Sequence, residues 1–537
     1  MATPSLAMIP SAIADSKVYS VLPNNGDGDF TFNRDSSATR VGQNGLIQTV
    51  GFFGNNFVTN GTFETDTDWT KGTGWTIGSG VASCDGVQTG SYLSQTSSST
   101  LVLGKTYKVN FDLIHTSGTL LFMLASSNPL TNTSGNITTG GSKEFYITIS
   151  SLSDQLIYFR SNLFNGSIDN VSVKEVTGDQ PRLNYDISNG VVQSCPSLLL
   201  EPASTNLITY SEDFSQWTSD TNASITSNSI ISPDGTQNAD KLIAGSSTAR
   251  QAIKFNLTAS GDISAYVFAK KGEYTVIQLT DASSPSAFAN FDLENGLVGS
   301  TDTYTANIEN YGNGWFKCSI TYNSVGSINS FRLSITQSST SARLVNFAGN
   351  NSDGLYIYGA QVEQLSYATS YIPNSGQSAG VTRAAETCFG AGTSSTFNST
   401  EGVLYVEIKT FSESGSAGVI SLNDGSNTNR VKIELDGGQI KVRIDTTAGQ
   451  VASLNYTIAI TNYLKIAVKW KADDYALWIN GIEGATDTSG ASFVAGTLSE
   501  LSFDRGDGVE DFYGNTKDVR VFNEALTDLQ LQKLTTL

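Results

Sequence analysis

The run Asn56-Phe57-Val58-Thr59, followed by Phe63 and Trp69-Thr70, returns further along the chain as Asn206-Leu207-Ile208-Thr209, Phe214 and Trp217-Thr218. Repetition on the scale of a whole domain, well beyond the roughly 20–50 residues of a solenoid unit, means separately cored modules that duplicated and diverged. The 537 residues leave room for roughly three or four domains of about 100–200 residues each. Serial modules of this kind point towards holding a ligand more than towards transforming one.

Short-range patterning makes the modules β. Tyr107, Val109, Phe111 and Leu113 alternate with Lys108, Asn110 and Asp112, and Phe145, Ile147 and Ile149 repeat the rule. One apolar face per strand over residues 55–177 is the pattern of two sheets packed face to face. Composition agrees: 51 Gly, 10 Pro and 15% charged residues, against an average of about 25% charged, suit short strands joined by polar turns. The predicted plan is all-β. An N-terminal segment (1–54) with an Asn44-Gly45 hairpin precedes a sandwich (55–177), a connector (178–205) and a second sandwich (206–371). A linker (372–398) then leads to a third sandwich (399–537), which ends in one short helix near Asp528 to Leu534 capped by Thr527. The first 54 residues carry few large apolar groups and are expected to dock on a neighbour or a partner.

The formal charge is −19, from 31 basic and 50 acidic residues. No Lys/Arg cluster is present to neutralise a phosphate backbone, so nucleic acid is not an expected partner. No window approaches about 18 consecutive apolar residues, so no membrane span is predicted. Lys17, the first basic residue, follows the mild apolar run of the N-terminus instead of preceding it, and the segment does not read as a secretory signal. If such a protein acts outside a cell, release by lysis of the host in whose cytoplasm it is made is one route. Cys84, Cys195, Cys318 and Cys388, with no CxxC pair among them, are expected to be four buried thiols.

The first sandwich resembles the jelly-roll carbohydrate-binding modules of the galactose-binding-like superfamily, through its opening Asn60-Gly61-Thr62-Phe63-Glu64 and its ending Asp169-Asn170-Val171-Ser172-Val173. The resemblance implies a structural Ca2+ where the first and last strands meet, with Glu64 and Asp169 as its candidate ligands. The second sandwich resembles the same fold through Phe214-Ser215-Gln216-Trp217 and Gln361-Val362-Glu363, without the Asn-Gly opening. The last segment resembles concanavalin A-like or laminin-G-like domains in Leu477-Trp478-Ile479-Asn480-Gly481 and in Asp518 to Thr527. Tyr19 to Val50, with Ser37-Ala38-Thr39-Arg40-Val41, and Pro196 to Trp217, with Leu198-Leu199-Leu200-Glu201-Pro202, look like segments of virion structural proteins of tailed phages, of the tail-fibre or head-fibre type. This last resemblance implies a place on the virion surface, attachment to other virion proteins through the N-terminal segment, and a homo-oligomer, the trimer being the usual fibre solution.

Chemistry for turnover is sparse. With a single histidine, His115, neither a Ser-His-Asp triad nor a Cys-His dyad has a natural place, and zinc lacks ligands. Glycoside hydrolysis needs only two carboxylates. Glu434-Leu435-Asp436-Gly437-Gly438-Gln439 starts like the Glu-x-Asp-x-x-Glu strand of concanavalin-like hydrolases, yet it ends in Gln439, and Asp436-Gly437-Gly438 reads as a hairpin turn. Sugar sites on sandwiches set an aromatic ring against the ligand. The tryptophans lie at or near the alternating pattern and read as core; Trp75, beside Gly72 and Gly74, and Tyr92 are the least core-like aromatics and are the candidate ligand-binding residues. The acid-rich turns Asn24 to Asp29 and Asp504 to Asp511 read as solvated turns rather than Ca2+ loops.

The function expected is that of a non-enzymatic phage virion structural protein with no catalytic residues. Its modules are expected to bind host-surface carbohydrate, many copies converting weak affinity into firm attachment. A polysaccharide-active enzyme with appended binding modules and a secreted bacterial adhesin are the alternatives.

Overall fold

Pairs of unusually long strands set the layout of the first two modules. In the computed structural model, which describes residues 2–537 except 104, 127–131, 178, 282–286 and 375–379, strand Thr106–Leu124 runs antiparallel to Leu156–Thr177. Their pairing is broken by bulges around Ser117, the kind of irregularity at which paired strands form a corner. The corner requires Gly118: its φ is 76°, and a Cβ there would lie 1.9 Å from the Leu163 carbonyl oxygen. Tyr107, Val109, Phe111 and Leu113 point into the core as the alternation predicts, joined by Phe145 and Ile147 of Gly141–Thr148. The second module repeats the device with Ala249–Lys270 against Trp315–Thr336. Its core holds Phe214 and Trp217, as the first core holds Phe63 and Trp69. The duplication visible in the chain is therefore a duplication of core positions.

The third sandwich sets a five-stranded antiparallel sheet, Ser416–Asn423 to Gly449–Thr457 plus Glu500–Ser502, against an eight-stranded one. Asp436 and Gln439 pair across a two-residue turn in which Gly437 and Gly438 take φ of 59° and 71°, the left-handed pair a tight hairpin demands. The α-helix spans Asp528–Thr535, and the Gln530 side chain accepts the Thr527 backbone N–H at 2.9 Å. Leu531 and Leu534 on its inner face join a small core with Tyr405 and Trp478.

The eight-stranded sheet draws strands from far away in the chain. Leu6–Met8 and Ser197–Leu200 both pair with Gly514–Phe522, and Arg182–Asn184 extends that edge. Leu6, Met8, Phe30, Phe32, Leu198 and Leu200 are fully buried in the core of the third sandwich. The N-terminal segment, expected to dock on a neighbour or a partner, docks within the chain, and together with the connector it completes another module's interior. Each large side chain buried this way contributes about 1.5–3 kcal/mol, which is why a segment too poor in apolar groups to fold alone is nonetheless ordered.

Where these segments cross, Arg34, Arg182 and Arg383 meet Glu201 and Glu386 in a closed ionic hub, each side chain at most 2% exposed. Arg34 Nη1 donates to Glu386 Oε1 at 2.9 Å, and Arg182 bridges the acids through Nε to Glu386 Oε1 at 2.8 Å and Nη1 to Glu201 Oε2 at 2.7 Å. Arg383 Nη1 lies 3.0 Å from Glu201 Oε2. Burial opposes the charge on Glu201, but Arg383 and Arg182 outweigh it and hold the carboxyl at about 2. The carbonyls of Gln180, Thr39 and Pro202 accept further guanidinium N–H groups. The three stretches that lie outside the sandwiches in sequence therefore meet at one point inside the molecule.

The tryptophans are core residues, none more than 7% exposed. The expectation of four buried thiols is corrected at one position: Cys84, Cys318 and Cys388 are buried, whereas Cys195 is exposed in the loop before Ser197–Leu200. Among the described residues no helix is long and apolar enough to cross a membrane.

Candidate binding cleft between the two sandwiches

A cleft of about 880 Å³ separates the first and second sandwiches, with Thr39, Ile47 and Thr49 of the N-terminal hairpin among its lining. The alternation that buries Val109 and Phe111 sends Asn110 and Asp112 to the opposite face, and this face forms one wall together with Lys143 to Tyr146. The other wall comes from Glu212 and Asp213, just ahead of the 3-10 turn Phe214–Gln216, from the turn Asp234 to Asn238, and from Tyr358 and Tyr371.

Carboxylates on the second wall are held by named partners. Glu212 Oε1 accepts from Tyr371 OH at 3.0 Å and lies 3.3 Å from Tyr358 OH, whose other acceptor is Asp234 Oδ2 at 3.0 Å. Burial, with Asp234 adding repulsion, pushes Glu212 up to about 7. Asp234 accepts in all from Ser232 Oγ, Thr236 N, Thr236 Oγ1, Asn238 Nδ2 and Tyr358 OH, the bonds of a turn-organising aspartate. Asp240, buried behind this wall, takes the backbone N–H groups of Phe214 and Asn228 at 3.0 and 2.9 Å. Burial still raises it to about 7. On the first wall, Ser142 Oγ and Asn170 Nδ2 donate to Asp112 and hold its carboxyl below the usual range.

Other groups lining the cleft lack partners. Asn110 Oδ1 on one wall and Asn238 Oδ1 on the other are buried and accept no hydrogen bond within the protein. Leaving such an acceptor unmet costs about 1–3 kcal/mol, a cost that water or a hydroxyl-bearing ligand removes. Lys143 is lowered by burial, finds no ion pair among the described residues, and donates to Thr139 Oγ1 at 3.1 Å. Unmet amide acceptors on the two walls, beside a lysine and several tyrosines, suit a ligand rich in hydroxyls.

The residues singled out from the sequence lie elsewhere. Trp75 is 4% exposed, with its ring 6.0 Å from Phe164 in the first core, so it offers no face to a sugar. Its flanking glycines have different reasons: a Cβ on Gly72 would meet the Tyr92 carbonyl oxygen at 2.7 Å, while Gly74 has a φ of 88° and lies against the Asp85 side chain. Tyr92 is half-buried in a small cluster with Leu121, Met123 and Tyr158, away from the cleft lining. Glu64 is exposed, and Asp169 Oδ1 accepts the Asn170 N–H at 2.6 Å. Among the described residues no three His, Cys, Asp or Glu side chains gather into one cluster. His115 Nε2 bonds to the Gly118 carbonyl at 2.9 Å.

The cleft escapes a reading of the sequence because segments near residues 39–49, 110–172, 210–240 and 358–374 must converge to make it. The one local signal is the cluster Glu212-Asp213 ahead of the repeated Phe214 and Trp217.

No family model matches the chain, and no curated protein matches it in sequence. Among solved structures, the chain is similar to the CBM40 module of the Ruminococcus gnavus IT-sialidase bound to α2,3 sialyllactose, at 18% identity and a TM-score of 0.23, over 25% of this chain and 83% of that one. The leech intramolecular trans-sialidase aligns at 19% identity and a TM-score of 0.23, over 26% of this chain and 24% of the enzyme. Domain 4 of a GH43 extracellular arabinanase from Geobacillus stearothermophilus, in complex with arabinotriose, aligns at 13% identity and a TM-score of 0.24, over 32% of this chain and 81% of that domain.

Proposed function

We propose that this chain is a non-enzymatic structural protein of a tailed-phage virion that binds host-surface glycan in the cleft between its first two sandwiches. The observation that carries the glycan reading is the pair of buried, partnerless amide oxygens, Asn110 Oδ1 and Asn238 Oδ1, on the walls of an 880 Å³ cleft. That volume sits within the roughly 300–1,000 Å³ of small-ligand pockets, and the lining mixes amides, carboxyls and one lysine with aromatic rings.

The virion assignment rests on the phage-like segments Tyr19 to Val50 and Pro196 to Trp217. Their apolar residues are used inside the chain, but Ile9, Tyr19 and Val21 remain 42%, 39% and 52% exposed on the N-terminal segment. In this reading they contact other virion proteins, and repeated copies supply avidity.

One observation favours a second reading. Glu212, near pH 7, and Asp234 share Tyr358 at the cleft wall, and acids whose environments differ can divide acid and base roles. The five bonds that commit Asp234 to its own turn argue for structure over turnover.

The test is a glycan array probed with the intact chain, run beside reducing-end assays on any polymer that binds and electron microscopy of labelled particles. Glycan signal without released ends, and label at fixed positions on particles, is the expected result. Release of reducing ends that Glu212→Gln abolishes would replace this account with the hydrolase.

A further inference from the structure

A second cavity, of about 510 Å³, lies where the second sandwich, the connector around Asn184 to Ile187 and the third sandwich meet. Its lining sets Arg40, Lys317 and Lys409 beside the carboxylates of Asp186, Glu201 and Glu309. Of these, Glu201 is taken up by Arg182 and Arg383 and Asp186 by Lys409, and two polar atoms, Arg40 Nε and Tyr266 OH, lack protein partners. Arg40 Nε is buried and donates to nothing, and Arg40 Nη1 reaches the Leu183 carbonyl only at 3.5 Å. No carboxylate pairs with this guanidinium among the described residues. The hydroxyl of Tyr266, a residue 1% exposed, is buried without a partner. Lys317, 8% exposed, holds its Nζ 4.5 Å over the Tyr266 ring and 4.0 Å from Glu309.

An isolated buried cation is expensive unless it is paired. Arg34, Arg182 and Arg383 nearby in the fold all have glutamate partners. Arg40 is half-buried, with only its Nε enclosed, and has no such partner among the described residues; burial lowers its proton affinity, with Tyr185 as the one group acting against that. Such a donor set awaits acceptors that carry negative charge, and a guanidinium offers a planar fork suited to a carboxylate. The ring of Tyr311 and the stacked Tyr367 and Phe411 rings, 5.4 Å apart, also line the cavity and supply apolar contact.

We propose that this cavity binds a carboxylate-bearing sugar unit, its acid group on Arg40 with Lys317 and Tyr266 as further donors and its ring against the tyrosines. The site is separate from the cleft between the first two sandwiches, and its choice of a sugar over other carboxylates rests on the glycan reading given for that cleft.

The experiment is calorimetric titration of the full chain with galacturonate oligomers, with neutral galactose oligomers of the same length, and with a short acidic peptide. Wild type is to be compared with Arg40→Gln, Arg40→Lys, Lys317→Gln and Tyr266→Phe, each checked for an unchanged unfolding midpoint. The proposal predicts uronate binding that weakens at least ten-fold in Arg40→Gln, less in Arg40→Lys, and with rising salt. Absence of uronate binding, equal affinity for the neutral oligomers, preference for the peptide, or binding indifferent to both Arg40 and Lys317 would each overturn it. Neutral-glycan binding that depends on Asn110 and Asn238 would in those cases leave the first cleft's reading intact. Should Arg40→Gln fail to fold, Lys317→Gln and Tyr266→Phe decide the matter.

Discussion

Arg182 and Glu386, 204 residues apart in the chain, form a two-pronged ion pair in which neither side chain is exposed, Nε to Oε1 at 2.8 Å and Nη2 to Oε2. Because Arg182 also holds Glu201, and Glu386 also holds Arg34, the pair ties the N-terminal segment, the connector and the linker to one another. Removing one member of a buried pair leaves the other charge uncompensated, at about 3–5 kcal/mol. Glu386→Gln is therefore expected to lower unfolding stability by that amount in urea titrations, and a loss under about 1 kcal/mol would show that the hub is solvated.

Titration of the acids at the cleft gives stability a defined slope with pH. Glu212 and Asp240 rise to about 7 from ordinary values of 4.5 and 3.8, chiefly through burial. The fold thus favours their protonated forms, and their contribution is fully present below about pH 4 and lost as pH rises through 7. Glu201, held at about 2, acts in the opposite sense: its contribution is present above its ordinary 4.5 and lost only as pH falls towards 2. Stability measured in urea is expected to peak near pH 4 and to fall by about 2 kcal/mol or more by pH 7. Glu212→Gln should flatten part of that fall, and an unchanged slope in this variant would contradict the assignment.

Trp75 separates core from platform. Because its ring is 4% exposed and packs near Phe164, Trp75→Ala should cost about 3–5 kcal/mol of stability. A variant that keeps full stability yet loses ligand would restore Trp75 to the surface role that its glycine neighbours suggest.

The thiols give a direct count. Cys195 alone among the 4 cysteines is exposed, so a thiol reagent under native conditions should modify one group per chain, and all of them after denaturation. Rapid native labelling of more than one would show that a core is open.

How far the sequence reveals the molecule depends on the range of the interaction. Alternation places Tyr107, Val109, Phe111 and Leu113 inside because a strand's faces are set by neighbouring residues, and Thr527 and Gln530 announce the helix for the same local reason. The recurrence of Phe63 and Trp69 as Phe214 and Trp217 marks two equivalent cores. What the sequence conceals is long-range pairing: nothing local tells that Leu6 lies beside Val521, or Leu198 beside Thr516. The ionic hub and the cleft are hidden on the same grounds. Asn110 reads as an ordinary outward residue until the second sandwich is laid against it.

The central claim is that the cleft binds a hydroxyl-rich ligand through Asn110 and Asn238 without transforming it. The measurement closest to it is titration of the intact chain with the best glycan from an array, repeated on Asn110→Ala and Asn238→Ala, with the recovered glycan analysed by mass. The account predicts binding that weakens about ten-fold in each variant, as the loss of roughly 1.4 kcal/mol per hydrogen bond implies, and a glycan recovered whole. Affinity untouched by both substitutions, or a shortened glycan, would contradict it.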